Sequence, residues 1–169
     1  MSEHVNGGSA GEGRRAVVIT SSNRAAAGVY PDKSGPVVVD RLTGWGFLVG
    51  GPVVVPDGDE FGLALREALA SEPDLVVSTG GTGLTPTDVT PEQTLPLLDR
   101  LVPGVAEGMR AAGVAKGVPT AMLSRGLVGI AGRSLVVNLP GSRGGVSDGL
   151  DVLEPILAHI FSQIPGGDH

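Results

Sequence analysis

The sequence predicts a three-layer α/β/α sandwich with a mostly parallel, mixed central sheet. Three observations predict it. Short, unbroken apolar runs rich in β-branched residues recur along the chain, as in strands buried on both faces. Stretches with helical periodicity alternate with them. Near the C-terminal end, two apolar runs flank Gly132-Arg133-Ser134, which reads as a hairpin and puts one antiparallel strand in the sheet. The chain has 169 residues, 41% hydrophobic and 18% charged, the composition of one folded domain. That domain is assigned to residues 14–169. Residues 1–13, polar and rich in Gly and Ser, read as a flexible tail.

Each element has its own signal. Ala16-Val17-Val18-Ile19-Thr20 reads as a buried strand, and residues 21–33 as a loop. Ser34-Gly35-Pro36 opens a helix, with Ser34 as its cap, and Gly44 ends it. Phe47 to Val55 is a second apolar run, interrupted by Gly50-Gly51-Pro52. Asp59 caps a helix whose Phe61, Ala64, Leu65, Ala68 and Leu69 share one face. Leu75-Val76-Val77 is the next strand. Thr90-Pro91-Glu92 starts a helical region that extends to about Ala115, with an interruption near Pro103-Gly104. After the hairpin, a last helix carries Val146, Leu150, Leu153, Leu157, Ile160, Phe161 and Ile164 on one face.

Composition narrows the function. The formal charge is −6 and aromatics are 3%, which argues against a nucleic-acid partner. The chain has no Cys, so disulfides, thiolate metal sites and cysteine nucleophiles are excluded. Two of the three His, His4 and His169, lie at the chain ends. No apolar run approaches the ~18 residues that cross a bilayer, and no signal peptide is apparent. A cytoplasmic protein without a membrane partner is expected.

In folds of this class, ligands sit beyond the carboxyl ends of the strands. The turns after Thr20, Val55, Val77 and Leu139 all occupy that position, and they hold the chemically interesting residues. Gly80, Gly81, Thr82 and Gly83 make a turn that is either a plain strand-to-helix connection or a nest of N–H groups for an anion. Pro140, Gly141 and Ser142 precede a helix and are either a Gly-rich connection kept for steric reasons or a place where a phosphate group can sit. Asp57 and Asp88 stand in two further turns. Each is a turn-former or, if they meet near a phosphate, a ligand for Mg²⁺. Ser124 and Arg125 precede the hairpin, and Arg125 is either an anion clamp or a solvated side chain. No protein nucleophile is evident, so attack by one substrate's phosphate on another's phosphorus fits the residues best.

These residues, in this order, resemble the molybdopterin adenylyltransferase (MogA/MoaB) family. The resemblance is carried by Thr79-Gly80-Gly81-Thr82-Gly83 with Asp88-Val89-Thr90-Pro91-Glu92, by Val55-Pro56-Asp57, by Leu123-Ser124-Arg125, and by Asn138-Leu139-Pro140-Gly141-Ser142. Thr20-Ser21-Ser22-Asn23-Arg24 and Asp32-Lys33-Ser34-Gly35 extend it over about residues 15–163. Three positions depart from the family pattern. Asn23 stands where Asp is common, Thr87 where Arg is frequent, and Arg143 where Lys or Pro is often seen. The resemblance implies a MoaB/Mog-like fold, a homotrimer, and Mg²⁺-dependent transfer of AMP from ATP to the terminal phosphate of molybdopterin. It implies that Asp57 and Asp88 serve catalysis and hold Mg²⁺. Gly80, Gly81, Thr82, Gly83, Pro140, Gly141 and Ser142 would hold nucleotide and phosphate, and Ser34, Ser124 and Arg125 would contact substrate. Hand-over of the product to a molybdenum-insertion protein is a further expectation. The alternative is a non-catalytic molybdopterin-binding or carrier protein of the same fold.

Overall fold

The computed structural model describes residues 9–166. Its centre is a six-stranded sheet in the order β2-β1-β3-β6-β5-β4. The strands are β1 (Arg15–Ser21), β2 (Leu48–Val55), β3 (Leu75–Thr79), β4 (Arg100–Leu101), β5 (Val128–Ala131) and β6 (Ser134–Leu139). The first four in spatial order pair in parallel, and β5 pairs antiparallel with both β6 and β4. The mixed sheet therefore follows from the short turn between β5 and β6, which forces one reversal.

Alternation along the buried strands divides the core into two layers. Ala16, Val18, Leu75, Val77, Leu135, Val137 and Leu139 face one side. They pack there against α2 (Gly35–Gly44), α5 (Pro103–Ala115) and α6 (Arg143–Gln163). Ile19, Val76 and Val136 face the other, against Phe61, Leu65 and Ala68 of α3 (Asp59–Ala70). The short helices α1 (Asn23–Ala26) and α4 (Thr90–Thr94) complete the set, and α4 continues into a 3₁₀ turn at Leu95–Leu97. The helical face read for α6 is the buried one: Val146, Leu150, Leu153, Leu157 and Phe161 all point inward. No helix among the described residues is long and apolar enough to cross a membrane.

Several local expectations change. Ser9 to Gly13 fall within the stretch read as tail, yet they form a turn docked on the fold. Gly11 N–H donates to the Trp45 carbonyl at 2.9 Å, and a Cβ on Gly11 would strike Phe47. Arg14 then stacks over Phe161, 4.8 Å from its ring centroid. Residues 1–8 lie outside the described residues. Ser34 does not cap α2 with its side chain; Asp32 Oδ1 does, accepting from the N–H groups of Ser34 and Gly35 at 3.2 and 3.0 Å. Asp59 is the first residue of α3 rather than its cap, and its carboxylate accepts from Gln93 at 3.2 Å. The loop at 21–33 contains α1, and the long helical region is broken by β4. In β2, Gly50-Gly51-Pro52 creates a bulge, because Val17 pairs with Gly50 and Ile19 with Val53. Pro52 is tolerated there because β2 is an edge strand.

The topology places the site. Adjacent strands β1 and β3 send their following segments to opposite faces, β1 toward α2 and β3 toward α4 beside α3. That divergence leaves a crevice at their carboxyl ends. The core that supports it is tested by Leu153→Ala in α6, a side chain with no exposed surface. The substitution is expected to lower unfolding free energy by about 2–5 kcal/mol in a urea titration.

Candidate active site

Two clefts open at this edge of the sheet, and Gly80 and Gly141 line both. The larger, of about 590 Å³, is lined by Gly80, Gly81, Thr82, Gly83, Asp88, Arg110, Ser124, Asn138, Pro140, Gly141, Ser142 and Asp148, with an apolar wall from α5. The smaller, of about 390 Å³, is lined by the β1–α2 loop, including Ser21, Asp32, Lys33 and Ser34.

The turn after β3 is where glycine is required. Gly80 and Gly81 have φ of 87° and 67°, a region that L side chains rarely adopt. A Cβ on Gly80 would also lie 2.2 Å from the Ser21 carbonyl, and one on Gly81 would lie 2.3 Å from Thr90 Oγ1. The second Gly-rich turn touches the first: a Cβ on Gly141 would sit 3.5 Å from the Gly80 Cα. Ser142 caps the 21-residue α6, its Oγ accepting from Gly145 N–H at 3.1 Å. The N-terminus of that helix, with Ser142, Gly144 and Gly145, lines the larger cleft and brings positive potential to it.

Both aspartates pack against the same turn. Asp57 Oδ1 accepts from Ser21 Oγ at 2.5 Å and lies 3.2 Å from where a Cβ on Gly81 would be. Asp57 N–H donates to Asn23 Oδ1 at 3.0 Å. An Asp at position 23 would accept the same bond, so Asn23 preserves the contact while removing a charge. Asp57 adjoins the larger cleft through Gly81 rather than lining it. Asp88 does line it; its Oδ2 accepts from Thr85 N–H at 3.1 Å and lies 2.7 Å from a Cβ position on Gly83. Thr90 Oγ1 is buried with no hydrogen-bond partner among the described residues, beside the same Gly81. A buried hydroxyl left alone costs about 1–3 kcal/mol. The donor set at this turn is therefore carboxylate and hydroxyl oxygen, the chemistry that suits Mg²⁺. Among the described residues no three His, Cys, Asp or Glu cluster as a metal cage. A hard cation here would draw its remaining ligands from phosphate and water.

The other expected residues take different places. Ser124 lines the larger cleft and donates to Thr82 Oγ1 at 3.3 Å. Ser34 lines the smaller one, buried, its Oγ 2.9 Å from Thr79 Oγ1. Arg125 lines neither cleft and is not a solvated side chain. Its Nε donates to the Gly83 carbonyl at 2.9 Å, its Nη2 to the Asp88 carbonyl at 2.6 Å, and its Nη1 pairs with Glu92. It is a staple that holds the ends of the 83–92 loop. Arg143 is exposed at the start of α6 and lines neither cleft. Sequence reasoning missed Arg110 and gave Asn138 no role beyond its place in the Asn138–Ser142 motif. Asn138 is a buried pin between strands, donating to Ser78 Oγ at 2.9 Å and accepting from Leu127 N–H at 3.1 Å. The available signal for Arg110 was its position among Ala106, Met109 and Gly113, a cation on an otherwise small or apolar helix face.

Two glycine turns and a set of carboxylate and hydroxyl oxygens thus meet beside two clefts at a topological switch point, where α/β proteins bind small molecules. Comparison with known proteins makes this specific. Residues 17–159 match the family described as "Probable molybdopterin binding domain", and the chain belongs to that family. It is 39% identical over 155 residues to a "Molybdenum cofactor biosynthesis bifunctional protein" of Synechococcus elongatus, covering 91% of this chain and 48% of that one. The chain thus spans about half the length of such bifunctional relatives. It is 37% identical over 148 residues to a "Molybdopterin adenylyltransferase" of Pyrococcus furiosus, covering 85% of this chain and 87% of that one. The solved molybdopterin biosynthesis Mog protein of Mycobacterium ulcerans superposes with a TM-score of 0.85 at 47% identity, over 90% of this chain and 97% of that one.

Two outcomes test this geometry. Gly80→Ala introduces both a disfavoured φ and a backbone clash, so it is expected to cost roughly 3 kcal/mol or more by chemical denaturation. The hydrogen bond from Arg125, helped by its charge, holds the Glu92 carboxyl below its ordinary value. That bond stabilises the fold above Glu92's ordinary value and is lost as pH falls through the lowered one. The two side chains are 36% and 54% exposed, so the effect is limited to about 1 kcal/mol or less. Glu92→Gln should flatten the acid limb of the stability–pH curve by that amount and leave neutral pH dependence unchanged.

Proposed function

We propose that the protein is a molybdopterin adenylyltransferase, a nucleotidyltransferase of molybdenum cofactor biosynthesis. The observation that supports this most is the shared turn: two carboxylates, Asp57 and Asp88, packed against Gly81 and Gly83 of one glycine loop between two clefts. Such a ridge can seat two phosphorylated substrates with their phosphates meeting across Gly80 and Gly141. A terminal phosphate oxygen of molybdopterin attacks the α-phosphorus of ATP. The new P–O bond forms as the bond from the α-phosphorus to the bridging oxygen breaks, and pyrophosphate leaves with that electron pair.

The residues lining the larger cleft include no Cys, His or Lys, and the reaction requires none. The nucleophile is already ionised, so the protein's work is alignment and charge neutralisation. The Gly80–Gly81 turn lets backbone approach the phosphates, and the α6 N-terminus with Ser142 receives negative charge. Asp57 and Asp88 would hold Mg²⁺, which offsets the charge on the phosphate oxygens. Ser21 and Asn23 fix Asp57, and Arg125 fixes the loop that carries Asp88. The reading extends to a cytoplasmic homotrimer that passes its product to a metal-insertion protein.

The test is adenylyl-molybdopterin formation from molybdopterin, ATP and Mg²⁺. Wild-type protein should form product only with Mg²⁺. Asp57→Asn and Asp88→Asn should each lower turnover by roughly 100-fold or more while retaining molybdopterin binding. Tight molybdopterin binding by the wild type without any product would instead establish a carrier of the same fold.

A further inference from the structure

We propose that Arg110 is the phosphate-recognition residue of the larger cleft, the side chain that tells a phosphorylated substrate from its dephosphorylated form. The inference deepens the adenylyl-transfer reading and rests on it. Arg110 is the only Lys or Arg among the described residues that line this cleft. Of the other nearby cations, Arg143 is exposed and lines neither cleft, and two are committed elsewhere. Lys116 pairs with Asp148 at 2.6 Å, and Arg125 is bound to the loop and Glu92.

Arg110 itself has no carboxylate partner among the described residues, although it is half-buried. Its Nη1 donates to the carbonyls of Ser124 and Gly126 at 3.1 and 3.2 Å. Those two bonds fix the plane of the guanidinium. Its Nε and Nη2 make no hydrogen bond to any described residue. These two nitrogens form the edge that matches two oxygens of a phosphate, a fit that Lys lacks. A partly buried cation with no carboxylate partner favours an anion at its free edge. The cleft's other titratable lining residues, Asp88 and Asp148, repel such an anion, so Arg110 supplies the attraction that side chains otherwise lack there.

The shared chemistry is a phosphate group, which comes either from the nucleotide or from the pterin. Binding is therefore measured in two arms: ATP against adenosine, and molybdopterin against dephosphorylated molybdopterin. In Arg110→Gln the preference for the phosphorylated member of one pair should fall about tenfold or more, as expected for losing a charge-assisted contact. The dephosphorylated member should bind as in the wild type. The arm that changes identifies the phosphate. Arg110→Lys, which keeps the charge but not the two-point edge, should fall between and serves as the test if Arg110→Gln does not fold. A residue that only props the Ser124 and Gly126 carbonyls would weaken both members of a pair alike. An unchanged preference in both arms would therefore overturn the proposal. That result is independent of the Mg²⁺-dependent product assay, whose failure would remove the enzymatic reading itself.

Discussion

The site depends on one close approach, that of the Gly80 backbone to the end of β1. A side chain at position 80 would meet the Ser21 carbonyl at 2.2 Å, so β1 and β3 can deliver their turns to one point only because that atom is missing. The candidate site is arranged around the contact. Ser21, whose carbonyl touches Gly80, uses its hydroxyl to hold Asp57. Gly81, the next residue, accepts the Thr90 N–H through its carbonyl at 3.0 Å and so sets the start of α4. Gly141 lies on Gly80 from the other side and brings the start of α6 with it. The sheet supplies the positions of these turns, and glycine lets them meet.

Charge follows the same logic of local arrangement. The chain carries a net −6, so the anion binding proposed for it cannot rely on an excess of basic side chains. Much of the basic charge is spent on the surface. Arg41 pairs with Asp151 at 2.6 Å, Arg133 with Asp74 at 3.0 Å, and Lys116 bridges Asp148 and Asp151. Within the larger cleft, the glycine turns, the start of α6 and Arg110 are the groups available for the proposed role, since peptide dipoles can supply positive potential. Arg125 shows how the remaining charge is used: its cation closes a loop on itself through two carbonyls and Glu92, and the loop in turn presents Asp88.

Much of this was legible in the sequence. The central strands declared themselves because β-branched runs buried on both faces have no other stable home. The hairpin was marked by its Gly132 turn, and the α6 face by its periodicity. The converging loops were readable because they follow strands. What escaped reading was set by tertiary contact. β4 is two exposed residues whose pairing exists only because β5 lies beside them. Ser34 looked like a cap, but Asp32 lies closer to the free N–H groups and Thr79 draws the Ser34 hydroxyl away. The role of Arg125 depends on carbonyls at positions 83 and 88, about 40 residues away in the chain, which no local pattern encodes. Arg110 was hidden within a helical stretch whose exposure could not be known before α5 was placed over the cleft.

In the proposed reaction the glycine ridge aligns two phosphorylated substrates for direct transfer of an adenylyl group. Its most direct measurement is the fate of labelled phosphorus. With ATP labelled at the α-phosphorus, the account predicts label in the molybdopterin product, in equal amount to the pyrophosphate released from γ-labelled ATP. Label retained in free AMP or ATP while molybdopterin remains unmodified would contradict it.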